Sequence, residues 1–360
     1  MFKESSLHIA ARDSIVWWKA WLIRLVAVLL SLIVCAIVIF GLTKMNPVEV
    51  YKGIFDGALG TTRRTWVTIR DTMVLLIIAI GLTPAFRMKF WNIGAEGQVL
   101  VGGAATAALM IYCGNSLPTP VLLILMFAAS MAAGVVWGVI PAVFKAYFNT
   151  NETLFTLMLN YVAMQIVTFC IVFWENPSGS NTVGIINSAT QAGWLPPLFG
   201  QTYGWNVVIV MLFTVGMYIY MKYSKQGYAI AVVGESQNTA RYARINVKKT
   251  IIRTMGISGG ICGIAGFLLV SGASHTISTS TAGGRGFTAI IVAWLSKFNA
   301  FVMILVSFFL VFMQKGAIQI ASQFKLNENA SDIITGIILF FILGSEFFIR
   351  YRLEVTKAHK

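Results

Sequence analysis

The sequence contains 360 residues, of which 57% are hydrophobic and 11% are charged, and its formal net charge at pH 7 is +14. Soluble domains carry about 25% charged residues, so this composition excludes a soluble fold and indicates apolar surface that faces lipid. The basic residues gather in a few stretches between apolar segments, as in membrane proteins. Because no basic run is interleaved with aromatic residues, we predict an all-α integral membrane protein that contacts membrane lipid and no nucleic acid.

The apolar segments, taken in chain order, predict about ten transmembrane helices, since one crossing requires roughly 20 apolar residues. The second and eighth segments are too short for a full crossing, and each adjoins a Gly-rich stretch, residues 92–98 or 282–286. Interrupted helices in corresponding halves predict an inverted repeat with a solute path between the halves. The alternative is that the glycines only allow helices to pack closely. The predicted spans are residues 21–42, 72–86, 92–113, 120–147, 153–174, 206–221, 254–272, 287–295, 301–320 and 333–349.

The charges between these spans predict the orientation of the chain, which we treat as a single transmembrane domain over residues 1–360. Residues 223–253 carry six Lys or Arg against one Glu, whereas residues 175–205 carry no Lys or Arg. The positive-inside rule therefore makes 175–205 an external loop. The basic stretch 43–70 also falls outside by this count, against the rule. The predicted cytoplasmic regions are the N-terminus 1–20, the loop 223–253 and the tail 350–360.

Two polar residues stand out within the predicted membrane region. Glu96 is the most deeply placed acid by this assignment of spans, and a carboxylate at membrane depth usually has a function. It also opens a helix, where a carboxylate can cap backbone N–H groups, so capping and a place on the solute path remain open. Asn160 lies in an otherwise apolar helix and can either join helices by hydrogen bonds or face a solute.

The scarcity of membrane acids bears on the source of energy. Carriers driven by protons or sodium ions usually need ionisable groups near the membrane midplane, and this chain has almost none. The chain also lacks a Gly-Lys dipeptide and hence a P-loop, so ATP would be hydrolysed by a separate polypeptide. Motifs of hydrolases and metalloproteases are absent, and the cysteines and histidines have no metal-site spacing. We predict a transport subunit without catalytic residues, metal or cofactor.

The loop 223–253 contains a segment, residues 234–245, that predicts a short helix. Ser236 is placed to cap this helix, which would run to about Ala243. The segment offers small residues and one tyrosine for a contact with a partner, while the alternative is a solvated basic loop. The residues that we expect to carry such a contact are Gly234, Glu235, Ser236, Asn238, Ala240, Tyr242 and Ala243.

Several stretches together resemble the permeases of ABC importers in the branched-chain amino acid/ribose group. Within that group they resemble the nucleoside importers that work with basic-membrane-protein lipoproteins. The resemblance covers about residues 72–344, and the first two of its motifs are fairly specific. The matching stretches are residues 92–98 (NIGAEGQ), 151–152 with 156–161 (NE and TLMLNY), 234–245, 257–260 with 265–266, and 286–287 with 290–295.

The resemblance implies import by alternating access through the cytoplasmic (inner) membrane of a bacterium. It implies a separate ABC ATPase that binds ATP and Mg²⁺, a second permease subunit that is homologous or identical, and an extracytoplasmic lipoprotein that delivers the solute. Segment 234–245 would then couple the permease to the ATPase. A nucleoside is the expected solute, a simple sugar such as ribose is the alternative, and a secondary carrier or a channel is a further one. The residues expected to line the path are Asn92, Glu96, Gln98, Asn160 and Phe287.

The chain also departs from this family's pattern. Arg244 stands where the family usually has Gly, at the end of the coupling helix. Trp91 replaces a usual Phe, and Trp294 replaces a usual Leu. These changes and those at residues 288–291 fall near the expected path, so they bear on which solute the chain accepts.

Overall fold

The computed structural model describes residues 6–11, 16–43, 47–323 and 351–356, together with scattered positions between 333 and 349. The chain divides into two compact units, one of Met1–Thr68 with Phe309–Lys360 and the other of Ile69–Phe308. The described parts of both units are mainly helical.

The first unit contains helices α1 (Trp17–Thr43) and α2 (Pro47–Leu59). It also holds the start of α3 (Thr62–Arg87) and the second half of α12 (Ala300–Gln323). Two short strands that the sequence did not predict, β1 (Ser6–Ala11) and β2 (Tyr351–Thr356), form an antiparallel pair. Since β1 lies in the N-terminal tail and β2 in the C-terminal tail, the two tails meet.

The second unit holds the rest of α3, the start of α12 and eight further helices. Helix α10 runs through its centre, is almost entirely buried, and packs most extensively against α5 and α4. Helices α5, α6 and α7 bury one side and expose large apolar side chains on the other, as helices that face lipid do. The remaining bounds are α4 (Ala95–Cys113), α5 (Thr119–Phe148), α6 (Glu152–Trp174), α7 (Gly204–Tyr223), α8 (Lys225–Glu235), α9 (Gln237–Tyr242), α10 (Val247–Leu269) with a π-helix at Val270–Ser274, and α11 (Arg285–Leu295).

Glycine allows the central helices to approach closely. A Cβ at Gly259 of α10 would overlap the carbonyl oxygen of Gly134 of α5, and a Cβ at Gly263 would overlap that of Ser130. In lipid, where apolar side chains gain little by leaving the solvent, such backbone-to-backbone packing holds helices together. At the crossing of α5 and α10, glycines therefore do allow close helix packing, which was one of the two roles expected for glycine from the sequence.

Among the described residues, seven helices are long and apolar enough to cross a membrane, and two shorter apolar helices cover Leu22–Val38 and Arg285–Leu295. The tenth predicted span, 333–349, falls largely outside the described residues. The prediction that the second span is too short is wrong, because α3 has 26 residues and Pro84 lies inside it. The charges in its first turns, which hydropathy assigns to the preceding segment, belong to the helix. The eighth span is short as predicted, with 11 residues.

Candidate functional site

The chain between α3 and α4 is irregular and is held by buried polar side chains. Asn92 Oδ1 accepts a hydrogen bond from Gly94 N at 3.0 Å. Asn92 Nδ2 lies 3.4 Å from Gln98 Oε1 and 3.3 Å from Ser258 Oγ of α10. Asn92 and Gln98 are both at most 1% exposed. These two residues of the expected path thus tie the start of α4 to α10, because a buried amide must satisfy its own donors and acceptors.

Asn160 of α6 holds the same junction from the other side. Its Nδ2 donates to the carbonyl oxygen of Ile93 at 2.9 Å, and its Oδ1 accepts from Gly97 N at 2.9 Å. The side chain is therefore satisfied by the backbone of the chain itself and joins α6 to α4. A residue that the sequence did not single out, Trp137 of α5, places its buried indole Nε1 beside Gly97 without a hydrogen-bond partner in the described part of the chain.

Glu96 caps a helix, but not the helix that it opens. Its Oε1 accepts from Gly284 N at 2.7 Å and its Oε2 accepts from Gly286 N at 2.8 Å, at the N-terminus of α11. These backbone donors have no partner within α11, and the positive end of the helix dipole stabilises a carboxylate. Glu96 therefore fills an anion site at the N-terminus of a short helix 188 residues away.

A second buried acid lies near this helix end. Asp71 is 3% exposed and Glu96 is 8% exposed, so both acids are buried in the described part of the chain. Asp71 Oδ1 lies 2.8 Å from Nη2 of Arg70 and 3.7 Å from Nη2 of Arg285, the first residue of α11. The sequence missed this group because the hydrophobic run begins only at Thr72, although α3 begins at Thr62.

Two of the departures from the family pattern contact each other. The indole rings of Trp91 and Trp294 stack, with centroids 5.5 Å apart and an interplanar angle of 21°. Phe86 packs edge-on against both rings. Trp91 is 44% exposed, and so is Phe287 on α11. Trp91 and Phe287 therefore each leave part of an aromatic ring exposed in the second unit.

The segment predicted to bind a partner forms the short helix α9. Ser236 caps it as predicted, since its Oγ accepts from Thr239 N at 3.2 Å. Tyr242 at its end is 91% exposed. Gly234 and Ala240 are buried, and a Cβ at Gly234 would overlap the carbonyl oxygen of Arg87. These two residues seat the segment on the chain, so the prediction that they touch a partner directly is wrong.

The remaining residues of that prediction differ in exposure. Glu235, Asn238, Tyr242 and Ala243 are exposed, while Ser236 is half-buried because it caps the helix. The segment 223–253, expected as a loop, is for the most part helical, since it contains α8, α9 and the first residues of α10. The two short helices α8 and α9 thus connect α7 to α10, and α9 has an exposed face.

A bundle of long apolar helices that expose large hydrophobic side chains and are joined by buried polar contacts defines a polytopic membrane protein. The family model described as "Branched-chain amino acid transport system / permease component" matches residues 67–343, and the chain belongs to this family. It is a multi-pass protein of the cytoplasmic membrane and the permease subunit of an ABC transporter. The family implies, in general, an ATPase and a solute-binding protein as partners.

Three relatives are similar over nearly their whole length. A glucose ABC transporter permease protein of Haloferax volcanii is 26% identical over 97% of this chain and 94% of its own. A guanosine ABC transporter permease protein of Bacillus subtilis is 28% identical over 90% of this chain and 93% of its own. A nucleoside ABC transporter permease protein of Lactococcus lactis is 25% identical over 94% of both chains.

Proposed function

We propose that this permease imports an uncharged solute, a nucleoside, by alternating access. The observation that carries the proposal is the occupied N-terminus of α11, where the Glu96 carboxylate already accepts from Gly284 and Gly286. A free helix N-terminus within a membrane attracts anionic groups of a substrate. A carboxylate fixed there repels a second anion, which supports a neutral solute over an amino acid, whose carboxylate such a site would bind.

Two further observations support a nucleoside over a sugar. Trp91 and Phe287 are each 44% exposed and offer an aromatic ring on which a planar base can stack. Two of the three relatives above are described as guanosine or nucleoside permeases. A simple sugar is the second candidate, favoured by the relative described as a glucose permease.

Uptake of labelled solutes by cells that lack this chain tests the substrate. We expect loss of high-affinity uptake of purine or pyrimidine nucleosides, with uptake of ribose and glucose retained, and recovery when the chain is restored. Normal nucleoside uptake together with lost sugar uptake would establish the sugar alternative. Normal uptake of all these solutes, with loss of an amino acid, would contradict the argument from Glu96.

We propose that the exposed face of α9 docks on a separate ABC ATPase, which binds ATP and Mg²⁺. The support is the geometry of Tyr242, a large ring that is 91% exposed at the end of α9, whose Ala240 is buried against the chain. Aromatic side chains are frequent anchors of protein interfaces. A second permease, homologous or identical, and an external solute-binding lipoprotein would complete the importer.

The test of coupling uses the exposed tyrosine, because the burial of Ala240 means that a charge there would disturb the chain itself. Tyr242→Glu places a carboxylate in the contact, and we expect the ATPase to be lost on purification and uptake to be abolished, at normal levels of the chain in the membrane. Tyr228→Glu, at a tyrosine of α8 that is 67% exposed, is the control. Full ATPase retention and transport by Tyr242→Glu would exclude α9 as the coupling helix.

We also propose the topology of ten crossings, with both termini and residues 223–253 in the cytoplasm, residues 175–205 outside, and an inverted repeat. The pairing of β1 with β2 supports termini on one side, since two tails that share a sheet require an even number of crossings. The polar junctions that follow α3 and α10, residues 88–94 and 275–284, support related breaks in the two halves.

A further inference from the structure

A cleft of about 180 Å³ lies where α7 ends, α8 begins and α10 starts. Its volume is below the ~300 Å³ of pockets that enclose a whole drug-sized ligand. Tyr220, in the last turn of α7, and Thr254, two turns into α10, form its membrane side, and Ile230 of α8 contributes apolar surface. The cleft thus combines the ends of two membrane-spanning helices with a short helix that leaves the membrane.

Three cations and no carboxylate line this cleft. They are Lys225 of α8 with Lys249 and Arg253 of α10, and all three side chains are exposed. Within the described part of the chain, none of the three forms an ion pair with a carboxylate. Like charges gathered in one cleft repel each other, so the site gains from an anion that lies among them.

The position of the cleft indicates the source of that anion. Basic side chains at the cytoplasmic end of membrane helices lie at the depth of lipid headgroups, with their stems along apolar surface. The lining contains no residue of α9, so the cleft is separate from the face proposed for the ATPase. A small cationic site with an apolar inner wall at this depth matches a phosphodiester whose acyl chains remain in the bilayer.

We propose that this cleft binds the phosphodiester headgroup of an anionic phospholipid from the cytoplasmic leaflet. Lys225, Lys249 and Arg253 surround the phosphate, while Ile230 and the helix ends contact the upper part of the lipid. Helix α8 leads through the single residue Ser236 into α9, so the bound lipid also holds the base of the coupling segment. That second effect rests on the proposed function of α9, and the choice of the cytoplasmic leaflet rests on the proposed topology, whereas the binding of an anionic lipid rests on the cleft alone.

The test measures lipid retained by the purified full chain in nanodiscs, without the ATPase, so it is independent of the proposed function. Nanodiscs of phosphatidylcholine with added phosphatidylglycerol are compared with phosphatidylcholine alone, and co-purifying lipid is counted by native mass spectrometry. We expect retained phosphatidylglycerol to fall about fivefold for Lys249→Gln and again for the double variant with Arg253→Gln. One basic residue at a membrane surface contributes ~1 kcal/mol to the binding of anionic lipid, and this free energy corresponds to a change in affinity of about fivefold.

The matched control is Lys248→Gln, the neighbouring residue of α10, which carries the same charge, is also exposed, and does not line this cleft. It should retain phosphatidylglycerol like the unaltered chain. Equal losses in Lys248→Gln and Lys249→Gln would show general surface attraction and overturn the site. Displacement of the lipid by millimolar inorganic phosphate would show a site for a soluble anion, and so would overturn the lipid assignment.

Discussion

Arg244, directly after α9, has a backbone conformation that suits glycine. Its φ is +57°, in the left-handed region that costs a residue with a Cβ about 1–2 kcal/mol. The backbone there is held by Ile245 N, which donates to the carbonyl oxygen of Ala240 at 2.9 Å. The family usually has Gly at this place, because helices commonly end with a glycine in this conformation. This chain therefore carries backbone strain just after α9.

Arg244→Gly should relieve that strain and stabilise the end of α9. We expect a gain of up to about 1 kcal/mol, since part of the relief is offset by the greater freedom of glycine in the unfolded chain. Slower hydrogen exchange at the Ile245 amide is the measurement. Arg244→Ala removes the same charge but keeps the Cβ, so it should give no gain. Equal slowing in both variants would attribute the effect to charge rather than to backbone strain.

Glu96 can be tested by a change of one atom. Glu96→Gln keeps the shape of the side chain but replaces one acceptor with an NH₂ group that faces a backbone N–H of Gly284 or Gly286. A buried donor left without an acceptor costs about 1–3 kcal/mol, so the thermal stability of the purified chain should fall and uptake should fall with it. Glu49→Gln on the exposed face of α2 is the control. Unchanged stability of Glu96→Gln would show that the cap is dispensable.

At the scale of elements, helices α5 and α10 cross at glycines, and these glycines differ in how much space a side chain would find. A Cβ at Gly259 would overlap the carbonyl oxygen of Gly134, whereas a Cβ at Gly256 meets Val139 Cγ2 at 3.5 Å, an ordinary contact. Gly259→Ala should cost about 1–3 kcal/mol by forcing the helices apart. Gly256→Ala, on the same helix, should be neutral or gain up to about 1 kcal/mol in helix propensity. Thermal unfolding in detergent distinguishes the two, and equal effects would show that the crossing tolerates a methyl group.

The loop 175–205 is attached to the end of α10 by backbone hydrogen bonds. Ile186 N donates to the carbonyl oxygen of His275 at 2.8 Å, and Leu195 N donates to that of Ser271 at 3.1 Å. The rings of Trp194 and His275 stack with centroids 3.8 Å apart. The loop therefore bonds to the π-helix Val270–Ser274 at Ser271 and to the residue that follows this helix, His275.

This attachment should weaken in acid. Burial lowers the pKa of His275 below its ordinary value of 6.5, and the nearby Arg70 lowers it further, against a backbone hydrogen bond to Ser271 that raises it. The folded state therefore favours the neutral ring. The contribution of His275 to the stability of this attachment is complete above pH 6.5, and it is lost as the pH falls through the pKa of the unfolded state and then that of the folded state. Hydrogen exchange at the Ile186 amide, corrected for intrinsic rates, should accelerate over that interval. His275→Phe, which keeps an aromatic ring, should remove the pH dependence, and its persistence would assign it to another group.

At the scale of the whole molecule, the pairing of the two tails and the positions of the charged loops make the topology testable. Ser178→Cys in the loop 175–205 should react with an impermeant thiol reagent added to intact cells. Gln237→Cys on α9 should react only after permeabilisation, because six basic residues hold its loop in the cytoplasm. Cys35 and Cys262 of the unaltered chain are buried, and the unaltered chain is the labelling control. The reverse pattern would contradict an inside N-terminus with an even number of crossings.

The sequence alone determined the class of this protein, because a composition with 11% charged residues leaves only the bilayer as surroundings and the hydrophobic spans are local signals. Its motifs also determined the family, and the cap of α9 by Ser236 followed from residues only three apart. The boundaries of α3 could not be predicted in the same way. Arg70 and Asp71 form an ion pair within α3. A hydropathy scan counts both charges and does not see that they are paired, so it assigns this helical turn to the preceding loop.

Only the tertiary structure decided which groups meet across the chain. Nothing in the sequence near Glu96 indicates that its carboxylate caps α11, 188 residues later, or that Asp71 lies within 3.7 Å of Arg285. Ala240 looked like a contact for a partner, yet the packing of α9 against the chain buries it. Local patterns report helix caps and apolar faces, because those depend on near neighbours. Long-range pairs depend on how the helices pack against each other. Packing decides which partner comes within hydrogen-bond distance of a polar residue, and that partner decides whether the residue caps a helix, joins two helices or binds a ligand.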